Sequence, residues 1–252
     1  MSELLSGRLK TRLIAGETIG LIWLSLGHAP IAEIAAHSGA DAVVIDLQHG
    51  LWDRSTFEMA VGVSARTVPV LARVAENSAL AIGSALDTGI DGVLVPMVET
   101  AEQAAAAVAA GRFPPHGHRS GGGVRPLSMG FDTYLQKAGS IAIGIMIETT
   151  KGVDNAEAIA ATPGLDFILI GSGDLSISCA AIQGAARDVN EACRSVKAAC
   201  QQVGIACGIF TPSSKKAAER RDEGYQLVVL ANDLSAIKDV FADATKSFQE
   251  VS

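Results

Sequence analysis

This sequence of 252 residues has little positive charge: 20 Lys and Arg stand against 27 Asp and Glu, a formal charge of -7. Without a broad basic field to displace counterions, nucleic acid is excluded as its partner. No apolar run approaches the roughly 18 residues of a membrane helix. The opening stretch MSELLSGRLKTRL has no signal-peptide core. The chain therefore reads as cytoplasmic and free of membrane contact. Its four cysteines, Cys179, Cys193, Cys200 and Cys207, form no C-x-x-C pair and show no metal spacing with histidine. Cys193 and Cys200 fall on one face of a helix, where free thiols act as small apolar residues.

What is present is apolar material. Hydrophobic residues make up 48% and charged residues 19%, which excludes disorder and favours strands buried on both faces, or an oligomer. Eight Val-, Ile- and Leu-rich runs lie at 19–26, 42–48, 68–74, 92–98, 141–148, 166–171, 206–211 and 226–232. They lack polar alternation, as parallel strands covered on both faces do. Helical stretches lie between them. Gly39, Gly89 and Gly111 suit left-handed C-caps, and Asn77, Thr100 and Ser213 suit N-caps. A long amphipathic helix is predicted over 186–204, and another closes the chain.

Eight strand-helix units in this length give a single (β/α)8 TIM barrel. A doubly wound sheet fits less well, because no Gly-rich dinucleotide fingerprint follows the first strand. No linker divides the chain, so residues 1–252 read as one domain. The Gly- and Pro-rich segment 111–130 is either a surface loop or an active-site loop carrying Arg119 and Arg125.

A barrel does its chemistry at the C-terminal ends of its strands, and four of these ends carry charge. The second ends Asp46-Leu47-Gln48-His49, the third carries Arg73, the fifth ends at Glu148, and the sixth runs into Gly171-Ser172-Gly173-Asp174. A charge ending an apolar strand is costly unless it is paired or bound. Glu148 and Asp174, on adjacent strand ends, suit Mg²⁺ or Mn²⁺ completed by water and substrate oxygens; alternatively each pairs with an arginine. His49 is either a general base, with Asp46 and Asp87 as candidates to orient it, or a structural histidine. The Gly171–Gly173 turn opening a helix can receive an anion on its backbone N–H groups.

These residues, in this order, resemble the HpcH/HpaI aldolase family of metal-dependent pyruvate aldolases. The resemblance covers nearly the whole chain. It is carried by AVVIDLQHG, by VLARVAENSALAIGSALDTGIDGVLVPMVETAEQA, by FPPHGHRSGGG and by MIETTKGVDNAEAIAATPGLDFILIGSGDLS. It implies a (β/α)8 barrel that reversibly cleaves a 4-hydroxy-2-oxo acid to pyruvate and an aldehyde. It implies a divalent metal (Mg²⁺, Mn²⁺ or Co²⁺) on Glu148 and Asp174 and an oxo oxygen held by Arg73. It further implies proton transfer by His49, with Asp46 and Asp87 near it, and a carboxylate on the amides of Ser172 and Gly173, beside Gly171. Trp23 and Arg119 are further candidates for substrate contact. The resemblance also suggests a homo-oligomer, commonly a hexamer. Family members often have Glu where this chain has Gln48, and Pro-Ala where it has Ser172-Gly173. Two other readings stand beside this one: a citrate-lyase-β-like lyase acting on CoA thioesters, and a non-catalytic binding protein on a barrel.

Overall fold

Eight parallel strands close on themselves in chain order. They are β1 (Ile19–Leu24), β2 (Ala42–Asp46), β3 (Val70–Arg73), β4 (Gly92–Val95), β5 (Ala142–Ile147), β6 (Phe167–Ile170), β7 (Ala206–Ile209) and β8 (Leu227–Asn232). The helices are α1 (Arg8–Ile14), α2 (Ala29–Ala36), α3 (Arg54–Ser64), α4 (Ala79–Leu86), α5 (Ala101–Gly111), α6 (Val124–Met129) and α7 (Phe131–Ala138). They continue with α8 (Thr150–Asp154), α9 (Ala156–Ala160), α10 (Ser172–Ala180), α11 (Val189–Val203), α12 (Ser214–Asp222) and α13 (Asp233–Glu250). The computed structural model describes residues 8–181 and 187–250, without the side chains of 8 and 125–127. The start of the 186–204 helix and the side chain of Arg125 thus lie outside the described residues.

The alternation of side chains along each strand sorts the apolar residues into two cores. Val43, Ile45, Val70, Val93, Ile143, Ile145 and Ile168 point outward under the helices, while Leu21, Trp23, Val44, Leu71, Leu94, Met146, Phe167 and Val229 fill the barrel. Leu9 and Leu13 of α1 join this inner core. All four cysteines are free and buried, which agrees with their reading as small apolar residues.

A repeated turn sets the register at the N-terminal rim. Gly39, Gly89 and Gly164 take left-handed backbone angles, and two residues later Asp41, Asp91 and Asp166 precede β2, β4 and β6. Each aspartate accepts the N–H of a residue in the neighbouring strand: Gly20 (2.8 Å), Val70 (2.9 Å) and Ile143 (2.8 Å). Thr100 and Ser213 cap α5 and α12 as expected, through Gln103 and Lys216 N–H. Two sequence expectations are corrected. Ser78, not Asn77, caps α4, and Asn77 instead donates to the Gln103 carbonyl. Gly111 is the last residue of α5 without a left-handed angle; it is small because a Cβ there would lie 2.5 Å from Ile143 Cδ1.

The Gly- and Pro-rich segment 111–130 joins the end of α5 to the elements preceding β5. It is part of an αβ connection, not one of the βα loops that build a barrel mouth. His118 and Arg119 N–H bond Ala109 and Arg112 carbonyls, which ties it to the last turn of α5. Its far part forms α6, and FDTYLQKA forms α7. Of the two readings of this segment, a surface loop or an active-site loop, its place between α5 and β5 favours the first within this chain.

Candidate active site

Alternation carries polar side chains into the barrel mouth. After Ala42 and Val44 of β2, the next inward position is Asp46; after Leu71 of β3 it is Arg73; after Ala142 and Met146 of β5 it is Glu148. Asp46 and Arg73 are direct register partners. Their side chains form a two-pronged pair, Nε to Oδ1 at 2.8 Å and Nη2 to Oδ2 at 2.5 Å. Only 9% of the Arg73 side chain and 2% of the Asp46 side chain remain exposed. Burial opposes ionisation of Asp46, but the Arg73 hydrogen bonds and charge, with help from His49 and Trp23, hold its carboxyl below the usual range. Asp46 also accepts the backbone N–H groups of Gln48 (3.1 Å) and His49 (3.3 Å).

Beneath this pair lies Trp23. It is 1% exposed, and its indole N–H donates to Asp46 Oδ2 at 3.3 Å. The Arg73 guanidinium sits 5.1 Å from its ring centre, and Phe210 meets it edge-on at 5.2 Å. Trp23, expected to touch substrate, is thus committed to supporting Asp46 and Arg73. The imidazole of His49 stands exposed on the rim.

Glu148 is 2% exposed. Its Oε1 accepts the Met97 N–H at 2.7 Å, while Oε2 is buried without a partner among the described residues. Burial raises its pKa; the Met97 N–H and the charges of Arg73 and His49 work against the rise, and Asp174 adds to it. The charges of Arg73, His49 and Asp174 thus all act on the Glu148 carboxyl. Asp174 lies exposed in the first turn of α10. Ser172 and Gly173 occupy the same turn, where N–H groups have no acceptor within the helix. The Ser172 hydroxyl donates to the Phe210 carbonyl at 2.7 Å, tying the start of α10 to the end of β7. Gly171 has to be glycine, because a Cβ there would fall 2.5 Å from Glu148 Oε2.

Two expected residues lie elsewhere. Asp87 ends α4, and its carboxylate accepts from Arg119 Nη2 at 2.9 Å and from the Tyr134 hydroxyl at 3.3 Å. Among the described residues it makes no hydrogen bond or ion pair with His49. The Arg119 side chain is fully buried and is held between the Phe113 and Tyr134 rings at 5.0 and 5.2 Å. Asp87 and Arg119 line a separate cleft of about 480 Å³ with His118 and Leu80. Within one chain Arg119 meets Asp87 through Nη2 alone, while its Nε and Nη1 are buried without a partner among the described residues. Asp46 serves Arg73 and the turn at residues 47–50 rather than the imidazole.

Sequence reasoning missed Met97 and Phe210. Met97 has φ of 56°, the left-handed region, and is the only such residue other than glycine among those described. This conformation costs on the order of 1–3 kcal/mol and persists only where its surroundings hold it. Here it aims an N–H at Glu148. The run GVLVPMV ends without a charge, so its end drew no attention.

Glu148 and Asp174 are the residues that could take a cation. A buried carboxylate oxygen lacking a donor is costly, and Glu148 Oε2 is such an atom, under the charge of the exposed Asp174. No group of three or more His, Cys, Asp or Glu able to hold a metal occurs among the described residues. Two protein carboxylates leave most positions to water and substrate, which suits a hard octahedral ion better than zinc.

The HpcH/HpaI aldolase/citrate lyase family model matches residues 20–239. The hydroxypyruvate/pyruvate aldolase of Paraburkholderia phytofirmans is 33% identical over 90% of this chain and 91% of its own length. The 4-hydroxy-2-oxovalerate aldolase of Novosphingobium aromaticivorans is 40% identical over 61% of this chain and 60% of its own length. Among solved structures, an HpcH/HpaI aldolase/citrate lyase family protein from Burkholderia cenocepacia J2315 superposes with a TM-score of 0.89 at 34% identity, covering 96% of this chain and 99% of that one.

Proposed function

Because this chain belongs to the HpcH/HpaI aldolase/citrate lyase family and is an aldolase of that family, we propose that it reversibly cleaves a 4-hydroxy-2-oxo acid to pyruvate and an aldehyde at the mouth of its barrel. The observation that carries the site assignment is the buried Oε2 of Glu148, which has no partner among the described residues and on whose carboxyl the charges of Arg73, His49 and Asp174 all act.

Glu148 and Asp174 would hold Mg²⁺, Mn²⁺ or Co²⁺. When bound, such an ion polarises the carboxylate and 2-oxo oxygens of the substrate and stabilises negative charge on them. Arg73, aimed by Asp46 and backed by Trp23, places its guanidinium at the 2-oxo oxygen and balances the charge that develops on the enolate. The substrate carboxylate rests on the N–H groups of Ser172 and Gly173 at the start of α10. His49 takes the proton of the C4 hydroxyl, directly or through a water. The C3–C4 bond then breaks, the aldehyde departs, and C3 of the enolate is reprotonated to give pyruvate. A positioned base contributes roughly 10²–10⁴-fold.

We read residues 1–252 as one barrel domain, working in the cytoplasm as a homo-oligomer, with a hexamer favoured. Among the described residues no helix is long and apolar enough to cross a membrane. Support for an oligomer comes from α13, of which only Asp233 is buried while Leu234, Val240, Phe241 and Phe248 are 55–78% exposed. Ile22 of β1 and Leu230 of β8 are only partly buried. The test of function is oxaloacetate decarboxylation with Mg²⁺ or Mn²⁺, followed by a screen of aldehydes against pyruvate. Turnover of oxaloacetate with no aldol product from any aldehyde would reduce the proposal to a decarboxylase, and inertness in both assays would refute it.

A further inference from the structure

A network beside the mouth links two loops through one carboxylate. The chain leaving β4 runs Pro96-Met97-Val98-Glu99, and the chain leaving β5 runs Glu148-Thr149-Thr150-Lys151. Val98 N–H bonds the Met146 carbonyl at 3.1 Å, continuing the strand pairing past the end of β4. Glu99 then grips the opposite loop at three points. Its Oε1 accepts the Thr149 hydroxyl at 2.9 Å, its Oε2 accepts Lys151 Nζ at 3.1 Å, and its carbonyl accepts Asn155 Nδ2 at 2.8 Å. Its own N–H donates to Gln103 Oε1 at 2.7 Å, which fixes it to the first turn of α5. Thr149 is pinned from both sides, because its hydroxyl also accepts the Gly152 N–H that caps α8.

The geometry matters because of what lies one and two residues away. Thr149 follows Glu148 directly, and Met97 precedes Glu99 by two. Met97 holds the left-handed conformation that turns its N–H onto Glu148 Oε1. A residue 48% exposed has few packing contacts to enforce such a conformation, so the enforcement has to come along the chain.

We infer that Glu99 is a positioning residue for Glu148: by clamping Thr149 and Asn155 it holds the 97–99 segment so that the Met97 N–H fixes one carboxylate oxygen and leaves the other free in the mouth. This rests on the reading of Glu148 as a metal ligand. The Thr149 contact is the effective one. The Lys151 side chain is 62% exposed, and a pair that open to water contributes little.

The test compares Glu99→Ala, Glu99→Gln and Lys151→Ala with the parent chain by two readouts. The first is free Mn²⁺ remaining in a titration, followed by electron paramagnetic resonance. The second is hydrogen exchange of the Met97 amide in the metal-free protein. Glu99→Ala should weaken Mn²⁺ binding about tenfold, the low end of the loss when the support of a metal ligand is removed, and should speed Met97 exchange. Glu99→Gln keeps an oxygen for the Thr149 hydroxyl and should restore both readouts to near the parent values, and Lys151→Ala should leave both unchanged. Parent-like Mn²⁺ binding and Met97 protection in a folded Glu99→Ala protein would overturn the inference, as would Glu99→Gln failing as badly as Glu99→Ala. A parent chain that binds no Mn²⁺ would sink the metal reading instead, and the Met97 exchange rates would still decide whether Glu99 holds that segment.

Discussion

Replacing Asp46 with Asn tests the pairing on which the mouth is built. The substitution keeps the shape and one acceptor oxygen but removes the charge facing Arg73. The guanidinium is left 9% exposed with no counter-charge of its own. Breaking a buried pair by removing one partner costs about 3–5 kcal/mol. The retained acceptor places Asp46→Asn near 3 kcal/mol, or a fall in Tm of roughly 6–12 °C for a domain of this size.

The pH dependence carries the sign. Asp46 has its pKa lowered in the folded state, so its contribution is fully present above the unfolded value of about 3.9 and is lost as pH falls through the lowered folded value. The assay is urea unfolding of parent and variant at one protein concentration, from pH 7 down to pH 3. The gap between them should be widest at neutral pH and should narrow in acid. Turnover at neutral pH should fall by about 10²-fold, because a guanidinium displaced by an ångström no longer meets the oxo oxygen. A gap under 0.5 kcal/mol, or one that does not change between pH 7 and pH 3, would refute the pairing as a source of stability.

His49→Ala should lower aldol cleavage by about 10²–10⁴-fold while Mn²⁺ binding stays near the parent value, since a base acts on the proton and not on the ion; near-parent kcat would remove His49 from that role. Gly171→Ala should weaken Mn²⁺ binding, measured by titration, because the added Cβ would fall 2.5 Å from Glu148 Oε2; unchanged affinity would mean that this oxygen is not the ligand. In sedimentation at micromolar concentration the chain should run as an assembly larger than a dimer, and a species near the monomer mass would contradict the oligomer.

The eight strands were legible because parallel strands buried on both faces are written as unbroken apolar runs, and each run contains the strand observed. Glu148, Arg73 and Asp46 were legible for the same reason: a charge at the end of such a run has to be placed somewhere. What escaped was information carried across the chain. Nothing near Arg119 in sequence announces that its partner is Asp87, so a free arginine in a Gly-rich loop reads as a ligand contact. The position of segment 111–130 follows from chain order, since it comes after α5 and before β5, but composition spoke louder than topology. Met97 was invisible because its contribution is a backbone N–H and a dihedral angle, and neither depends on a recognisable side chain. Asn77 and Ser78 differ as caps by one residue, within the usual uncertainty of helix ends.

The proposed mechanism stabilises the enolate with a metal, and the alternative chemistry makes its equivalent as an imine on a lysine. Lys151 is the lysine near a strand end, and its Nζ is engaged with Glu99 Oε2 at 3.1 Å. The decisive measurement is aldol cleavage in EDTA, with and without added Mg²⁺, Mn²⁺ or Co²⁺, alongside borohydride treatment in the presence of pyruvate. Activity lost in EDTA and restored by the ion, no restoration in Glu148→Ala or Asp174→Ala, and no trapped adduct are the results predicted. Full activity in EDTA with a borohydride-trapped adduct on Lys151 would contradict the mechanism.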